Sequence, residues 1–317
     1  MYAIKLWCYA QVRVDLSAKL PTKIPSCVTL LLVLMVPAHA ASGSTKGWSI
    51  TMQPRLPVNG SPLLFRIKPP KGTEQLSGKW LGHEIPFNFD PATKTWFGFA
   101  GVSLETRPGS YTFQVSATRK NGDPISFGRP VTIGKAKYKR ISVSVSKKFT
   151  EPSADQLRTI SEDKQTKEAL FNRVTPEREW SGDFRAPVRA PVSDVFGTER
   201  VFNGKVQSYH QGLDYGVPSG TPVSALNSGT VILARNLYFE GNCVVIDHGQ
   251  GLLSLYLHLS EFAVKEGQRL KRGELIGLSG GTGRATGPHL HVAVRWQGVY
   301  LNPATLLSLT LPADLTP

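Results

Sequence analysis

His289-Leu290-His291-Val292-Ala293-Val294 is the stretch on which the fold turns. Its apolar residues are too few for a helix of useful length, and a glycine and a proline precede it at Gly287-Pro288. It reads as a β-strand. Side chains at i and i+2 of a strand share a face. His289 and His291 therefore look into one cavity. Working outward, Val244–Asp247 reads as a buried strand ending at His248-Gly249, and Leu253–Leu257 follows after Gly251. Together they read as a hairpin. Gly229-Thr230-Val231-Ile232-Leu233 is another strand candidate. The similar segments Val264–Gln268 and Leu270–Glu274 read as turns that feed strands. Helical periodicity is almost absent from residues 186–308.

The first half has the same rhythm. Leu63–Ile67 and Trp96–Phe99 are strand candidates, and Tyr111–Ala117 alternates apolar with polar side chains. Asn121-Gly122 marks a hairpin. Strands at this spacing predict a β-sandwich of immunoglobulin type over residues 41–140. His83 stands alone there and reads as a surface or turn residue. Lys139–Val145 reads as a last strand or a linker strand. Residues 141–185 read as a linker with one short helix, opened at Ser153 with Gln156 completing a capping box. Leu157, Ile160 and Leu170 give only a partial apolar stripe, which places that helix on a surface between domains. The expected fold is all-β, with two β domains and a helical linker.

Composition supports this. The chain has 317 residues with 40% hydrophobic and 19% charged, which is globular rather than disordered. Its 30 Gly and 23 Pro favour many short strands over a helical bundle. Lys and Arg number 37 against 23 Asp and Glu, a formal charge of +14 that points to an anionic partner. Nucleic acid, an acidic membrane surface and an anionic cell-wall polymer all fit that charge; no basic run exceeds two residues, so a nucleic-acid tail is not indicated.

Val28–Val36 is the one strongly apolar run and is shorter than the roughly 20 residues that span a bilayer. Basic residues precede it and Ala38-His39-Ala40 follows, so residues 1–40 read as a secretory signal peptide. The leader holds four basic residues and one acid, which leaves 33 basic and 22 acidic residues and a charge of +11. Of Cys8, Cys27 and Cys243, only Cys243 survives removal of the leader. It allows no internal disulfide and reads as a small core residue. The expected location is the periplasm or cell envelope, with no stable membrane anchor.

Four histidines fall in metal-like patterns. His210-Gln211-Gly212-Leu213-Asp214 offers an imidazole and a carboxylate, and His289-Leu290-His291 offers two imidazoles. Zinc accepts such donors and needs three of them at a catalytic site. His210, Asp214 and one of His289 or His291 supply that count. The bound metal would bring a water to a pKa of about 7. The spare histidine of the pair and His258, in Tyr256-Leu257-His258-Leu259, are left for proton transfer. No His-Glu-x-x-His helix is present to supply a glutamate base. His248 reads as a strand-end turn residue.

These motifs, with Phe196-Gly197, Arg200–Gly204, Pro218–Val223, Gly229-Thr230-Val231, Asp247-His248-Gly249, Tyr256–Ser260, Gly267, Gly273, Ile276-Gly277, Thr282-Gly283 and Gly287–His291, resemble the M23 family of zinc metallopeptidases, also called LytM or lysostaphin-like. The resemblance covers residues 190–305. It implies an antiparallel β catalytic domain built on a duplicated hybrid motif at 186–308, followed by a tail at 309–317. It also implies one Zn2+ per chain on His210, Asp214 and His291, with His258 and His289 as catalytic, non-ligand histidines. The implied substrate is peptidoglycan, cut at an amide of the peptide stems or cross-links, and stem cross-links are preferred over glycine bridges. A regulatory protein, or contact with the chain's own first domain, is the further partner expected. The competing reading is a non-catalytic envelope adaptor, or an activator of another hydrolase, built on a barrel-sandwich-like domain. It gives no reason for the grouped histidines.

Overall fold

The computed structural model describes residues 47–143, 146–202 and 206–313. The expected leader, with Cys8 and Cys27, lies outside the described residues, as do Asn203 and Gly204. The described chain is predominantly β, as the sequence predicts.

Two four-stranded antiparallel sheets face each other in the first half. One runs in the order Ser49–Gln53, Pro62–Lys68, Thr95–Gly101, Asn88–Asp90, and the other His83–Pro86, Thr73–Trp80, Gly109–Arg119, Pro124–Ile133. The alternation in Gly109–Arg119 sends Phe113, Val115 and Ala117 inward. Phe113 stacks on Phe65 of the opposite sheet with ring centroids 4.0 Å apart. The predicted hairpin forms at Asn121-Gly122, where Gly122 takes φ +84°.

The second half is built on an eight-stranded sheet. Its main path is Val192–Asp194, Gly212–Tyr215, Leu290–Trp296, Leu252–Leu259, Gly241–Asp247, Gly229–Leu237, Arg269–Leu270, and Val299–Leu301 pairs beside Leu290–Trp296. The predicted hairpin Val244–Leu257 lies at its centre. Side chains on the two faces enter different cores. Val292, Val294 and Trp296 join the large core, whereas Ala293 packs with Leu253, Leu255 and Leu257 on the other face. His289 and His291 have the parity of Ala293 and so belong to that second face.

The large core is continuous between the two halves. Trp296 lies 6.5 Å from Phe99 and 5.1 Å from His83, ring to ring. His83 is thus not a turn residue: it opens the strand His83–Pro86 and packs on Trp296. Gly101 lets Leu301 approach, since a Cβ there would lie 2.7 Å from Leu301 Cδ2. The chain end joins the same core, with Leu309 and Leu311 buried.

A strand and a helix help to tie the linker region to the second half. Arg140–Val143 pairs in parallel with Glu199–Phe202, which pairs on its other side with Val206–Tyr209. Arg140 also grips Glu199 through two hydrogen bonds of 2.7 and 3.0 Å. The helix Ala154–Phe171 starts at Ser153 with both halves of the predicted capping box in place. At 18 residues it is longer than the short helix expected. Phe171 is buried against the second face of the large sheet, and Lys167 pairs with Glu240 at 2.5 Å.

Candidate metal centre

The turn before Gly212–Tyr215, that strand itself and the start of Leu290–Trp296 bring three donor atoms together. His210 Nε2 lies 3.0 Å from Asp214 Oδ1 and 3.0 Å from His291 Nδ1, and His291 Nδ1 lies 2.7 Å from Asp214 Oδ1. Register produces the pairing of the last two. Asp214 sits directly opposite His291 in the ladder, so their side chains share a face.

The second polar atoms of His210 and Asp214 are engaged elsewhere, which fixes what each of these two presents. His210 Nδ1 is 2.9 Å from the Val195 carbonyl, an acceptor only, so Nδ1 carries the proton and Nε2 presents a lone pair. Asp214 Oδ2 accepts from Arg200 Nη2 at 2.8 Å, leaving Oδ1 for the centre. Arg200 is held in turn by Asp194. Burial opposes the charge of Asp214, but the adjoining His210 and His291 rings outweigh it and hold its pKa far below the usual carboxylate range. Burial pushes the pKa of His291 down. Two imidazole nitrogens and one carboxylate oxygen, converging from buried His210 and Asp214 and partly buried His291, form a donor set that fits zinc. His210, Asp214 and His291 are the one such cluster among the described residues.

His258 and His289 stand beside the trio. The His258 ring is 4.8 Å from that of His289 and 6.1 Å from that of His291. Simple alternation would not bring His258 here, because Leu257 is the residue opposite His291. The ladder is irregular between Asn242 and Val244, and His258 takes φ +63°, a left-handed conformation that re-aims the ring. His258 Nδ1 donates to the Thr282 carbonyl at 2.8 Å, and His289 Nδ1 donates to the Gly287 carbonyl at 2.8 Å. Both rings are therefore left with Nε2 as the free proton acceptor. His289 Nε2 is 4.0 Å from Asp214 Oδ1. Burial, then the neighbouring His291 and His289, lower the pKa of His258 to about 3.

The five residues expected from the sequence are thus gathered in one place. His248 is not among them. It is fully buried, donates from Nδ1 to the Ser228 carbonyl at 2.7 Å and receives Ser254 Oγ at Nε2, also 2.7 Å. Cys243 is a buried thiol in the core on the second face. The supporting contacts of Arg200, Asp194 and the Val195 and Thr282 carbonyls carry no signature in residue spacing. Gly212 has a local reason: a Cβ there would lie 2.4 Å from His291 Nε2.

Residues 208–303 match the model of Peptidase family M23. Over 103 residues the chain is 46% identical to the peptidoglycan DD-endopeptidase ShyA of Vibrio cholerae, and this segment is 32% of the chain and 23% of the relative. It is 45% identical, over 103 residues and the same 32% and 23% shares, to the DD-carboxypeptidase/endopeptidase Mpg of Neisseria meningitidis. The chain thus spans about a quarter of the length of these relatives. A crystal structure assigned to peptidase M23 from Pseudomonas aeruginosa superposes with a TM-score of 0.61 at 28% identity, covering 79% of this chain and 95% of that one. Residues 208–303, which hold the trio of His210, Asp214 and His291, thus carry a Peptidase family M23 domain.

Proposed function

We propose that the protein is a zinc-dependent endopeptidase that hydrolyses amide bonds in the peptide stems or cross-links of peptidoglycan, with stem cross-links of D,D type preferred. The observation that carries this reading is the convergence of His210 Nε2, Asp214 Oδ1 and His291 Nδ1 within 3.0 Å of one another, with His258 and His289 alongside. Zinc held by these three residues would polarise the scissile carbonyl and make a water acidic enough to attack near neutral pH.

The chain's own contribution is proton handling and orientation. Amide hydrolysis needs a proton acceptor for the water and a donor for the leaving amine. His258 and His289 each keep Nδ1–H on a backbone carbonyl, so each can take a proton at Nε2 without turning its ring. Burial keeps His258 neutral at pH 7. His289, with its side chain 18% exposed, is the more accessible of the two for exchange with substrate and solvent. Arg200 holds Asp214 by the oxygen that the trio does not use.

The charge distribution supports an anionic polymer as substrate. Residues 47–143 contain 14 Lys and Arg against 5 Asp and Glu, so the first half holds most of the positive charge outside the leader. We take that half to be an immunoglobulin-type sandwich and the working location to be the periplasm. Among the described residues no helix is long and apolar enough to cross a membrane.

Metal analysis, activity and mutation test the reading together. Purified protein should hold about one zinc per chain and release muropeptides, identified by mass, from purified peptidoglycan. His291→Ala should lose both metal and activity, and His289→Ala should keep metal and lose turnover. A zinc-free protein, or an active His289→Ala variant, would sink the assignment.

A further inference from the structure

The helix Ala154–Phe171 and the catalytic-site histidine His258 meet at one turn. That turn, Tyr238–Glu240, joins the strands Gly229–Leu237 and Gly241–Asp247. The helix holds it at two points. Asp163 Oδ2 accepts the Tyr238 N–H at 2.7 Å, and Lys167 Nζ binds Glu240 Oε1 at 2.5 Å. Asp163 and Lys167 are four residues apart and therefore neighbours on one helix face. Both partners of the Lys167–Glu240 pair are largely buried, at 14% and 17% side-chain exposure, which is unusual for a surface helix.

The far side of the same turn holds His258. The Glu240 carbonyl accepts the His258 backbone N–H at 2.9 Å. Gly241, at φ +65°, packs so tightly on Thr282 that a Cβ would lie 2.4 Å from its carbonyl carbon. Thr282 Oγ1 receives the Asn242 N–H at 2.9 Å, and the Thr282 carbonyl receives His258 Nδ1 at 2.8 Å. Both bonds that orient His258, one to its backbone and one to its ring, thus end on atoms positioned by the turn. A non-glycine residue at φ +63° persists only where its surroundings over-determine it.

We propose that Lys167 and Asp163 are positioning residues for His258, and that the linker helix clamps the Tyr238–Glu240 turn so that the His258 ring keeps its place beside the metal centre. This rests on the catalytic role given to His258 above. The helix then serves turnover directly, and its docking sets the activity of the second half.

The test is steady-state hydrolysis of a soluble cross-linked muropeptide by the full chain carrying Lys167→Met, Lys167→Arg, Asp163→Ala or His258→Ala. Displacing a catalytic group by about 1 Å can cost roughly a hundredfold. Lys167→Met and Asp163→Ala should each lower kcat roughly ten- to a hundredfold while KM and zinc content stay at their original values. Lys167→Arg, which keeps the charge, should recover most of kcat. Asp163→Ala leaves the buried ion pair intact, so it reports on the clamp even if Lys167→Met folds poorly. If His258→Ala is inactive and both clamp variants keep full kcat with bound zinc, the clamp is refuted. So too if Lys167→Arg is as impaired as Lys167→Met. If His258→Ala is fully active, the catalytic reading of His258 falls first, and the clamp with it.

Discussion

Replacing Gly212 by alanine tests the metal centre through a single methyl group. Gly212 lies between His210 and Asp214, and its backbone needs no left-handed conformation. Any penalty therefore comes from contact. The added Cβ would lie 2.4 Å from His291 Nε2, 2.6 Å from His291 Cε1 and 2.5 Å from the Val292 carbonyl oxygen. Comfortable contacts of this kind need about 3.5 Å, so roughly 1 Å must be opened. The Val292 carbonyl cannot recede easily, because Gly212–Tyr215 is laddered to Leu290–Trp296 through Gly212 and Ala293 and Leu213 and Val292. The His291 ring is the softer partner and should yield. Zinc tolerates ligand displacements of only about 0.2 Å. Gly212→Ala should weaken zinc binding by roughly 10–100-fold, as loss of ligand support does elsewhere. It should also cost about 1–3 kcal/mol of stability through overpacking. Competition with a chelating dye measures the first and denaturant unfolding the second. Gly216→Ala is the control, since its nearest neighbour would be 3.7 Å away. A Gly212→Ala protein with unaltered zinc affinity and stability would refute the packing argument.

Two further outcomes concern the buried framework. His248 is enclosed, and burial lowers its pKa to about 4 from the usual 6.5. The unfolded chain therefore binds this proton more readily, so its share of stability is full above pH 6.5 and fades as pH falls towards 4. The span is about 3 kcal/mol, and unfolding free energies between pH 4 and 7 should show that slope weakened in His248→Gln. Trp296→Ala should destabilise by about 3–5 kcal/mol and shift one calorimetric transition that includes both halves; a sandwich transition left in place would disprove the shared core.

Much of the site was legible because its chemistry is written in short spacings. A histidine and an aspartate four positions apart, and two histidines at i and i+2 in a strand, already name the donors. The same spacing cannot say which histidine of the pair binds, because parity puts both on one face. The structure separates them by position: His291 sits in the ladder opposite Asp214, and His289 precedes the strand at an isolated bridge to Gly280. His258 is the opposite case. Strict alternation would direct it away, and only a ladder irregularity with a positive φ turns it to the site. The sandwich was legible from Tyr111–Ala117, but its union with the second half was not. Period-2 patterning tells that Phe99 and Trp296 are buried, never that they are buried against each other.

The linker strand Arg140–Val143 has a bearing on shortened forms of the protein. In the whole chain both flanks of Glu199–Phe202 are occupied, one by Val206–Tyr209 and the other by the linker. Removing everything before residue 186 leaves a vacant row of N–H and C=O groups. That row lies eight to eleven residues along the chain from His210, and its hairpin partner ends at Tyr209. A bare flank of this kind recruits any extended peptide in parallel or antiparallel register. A trimmed form would thus acquire a sticky ledge close along the chain to its metal centre, and the extended peptides it holds would no longer be those of the intact molecule.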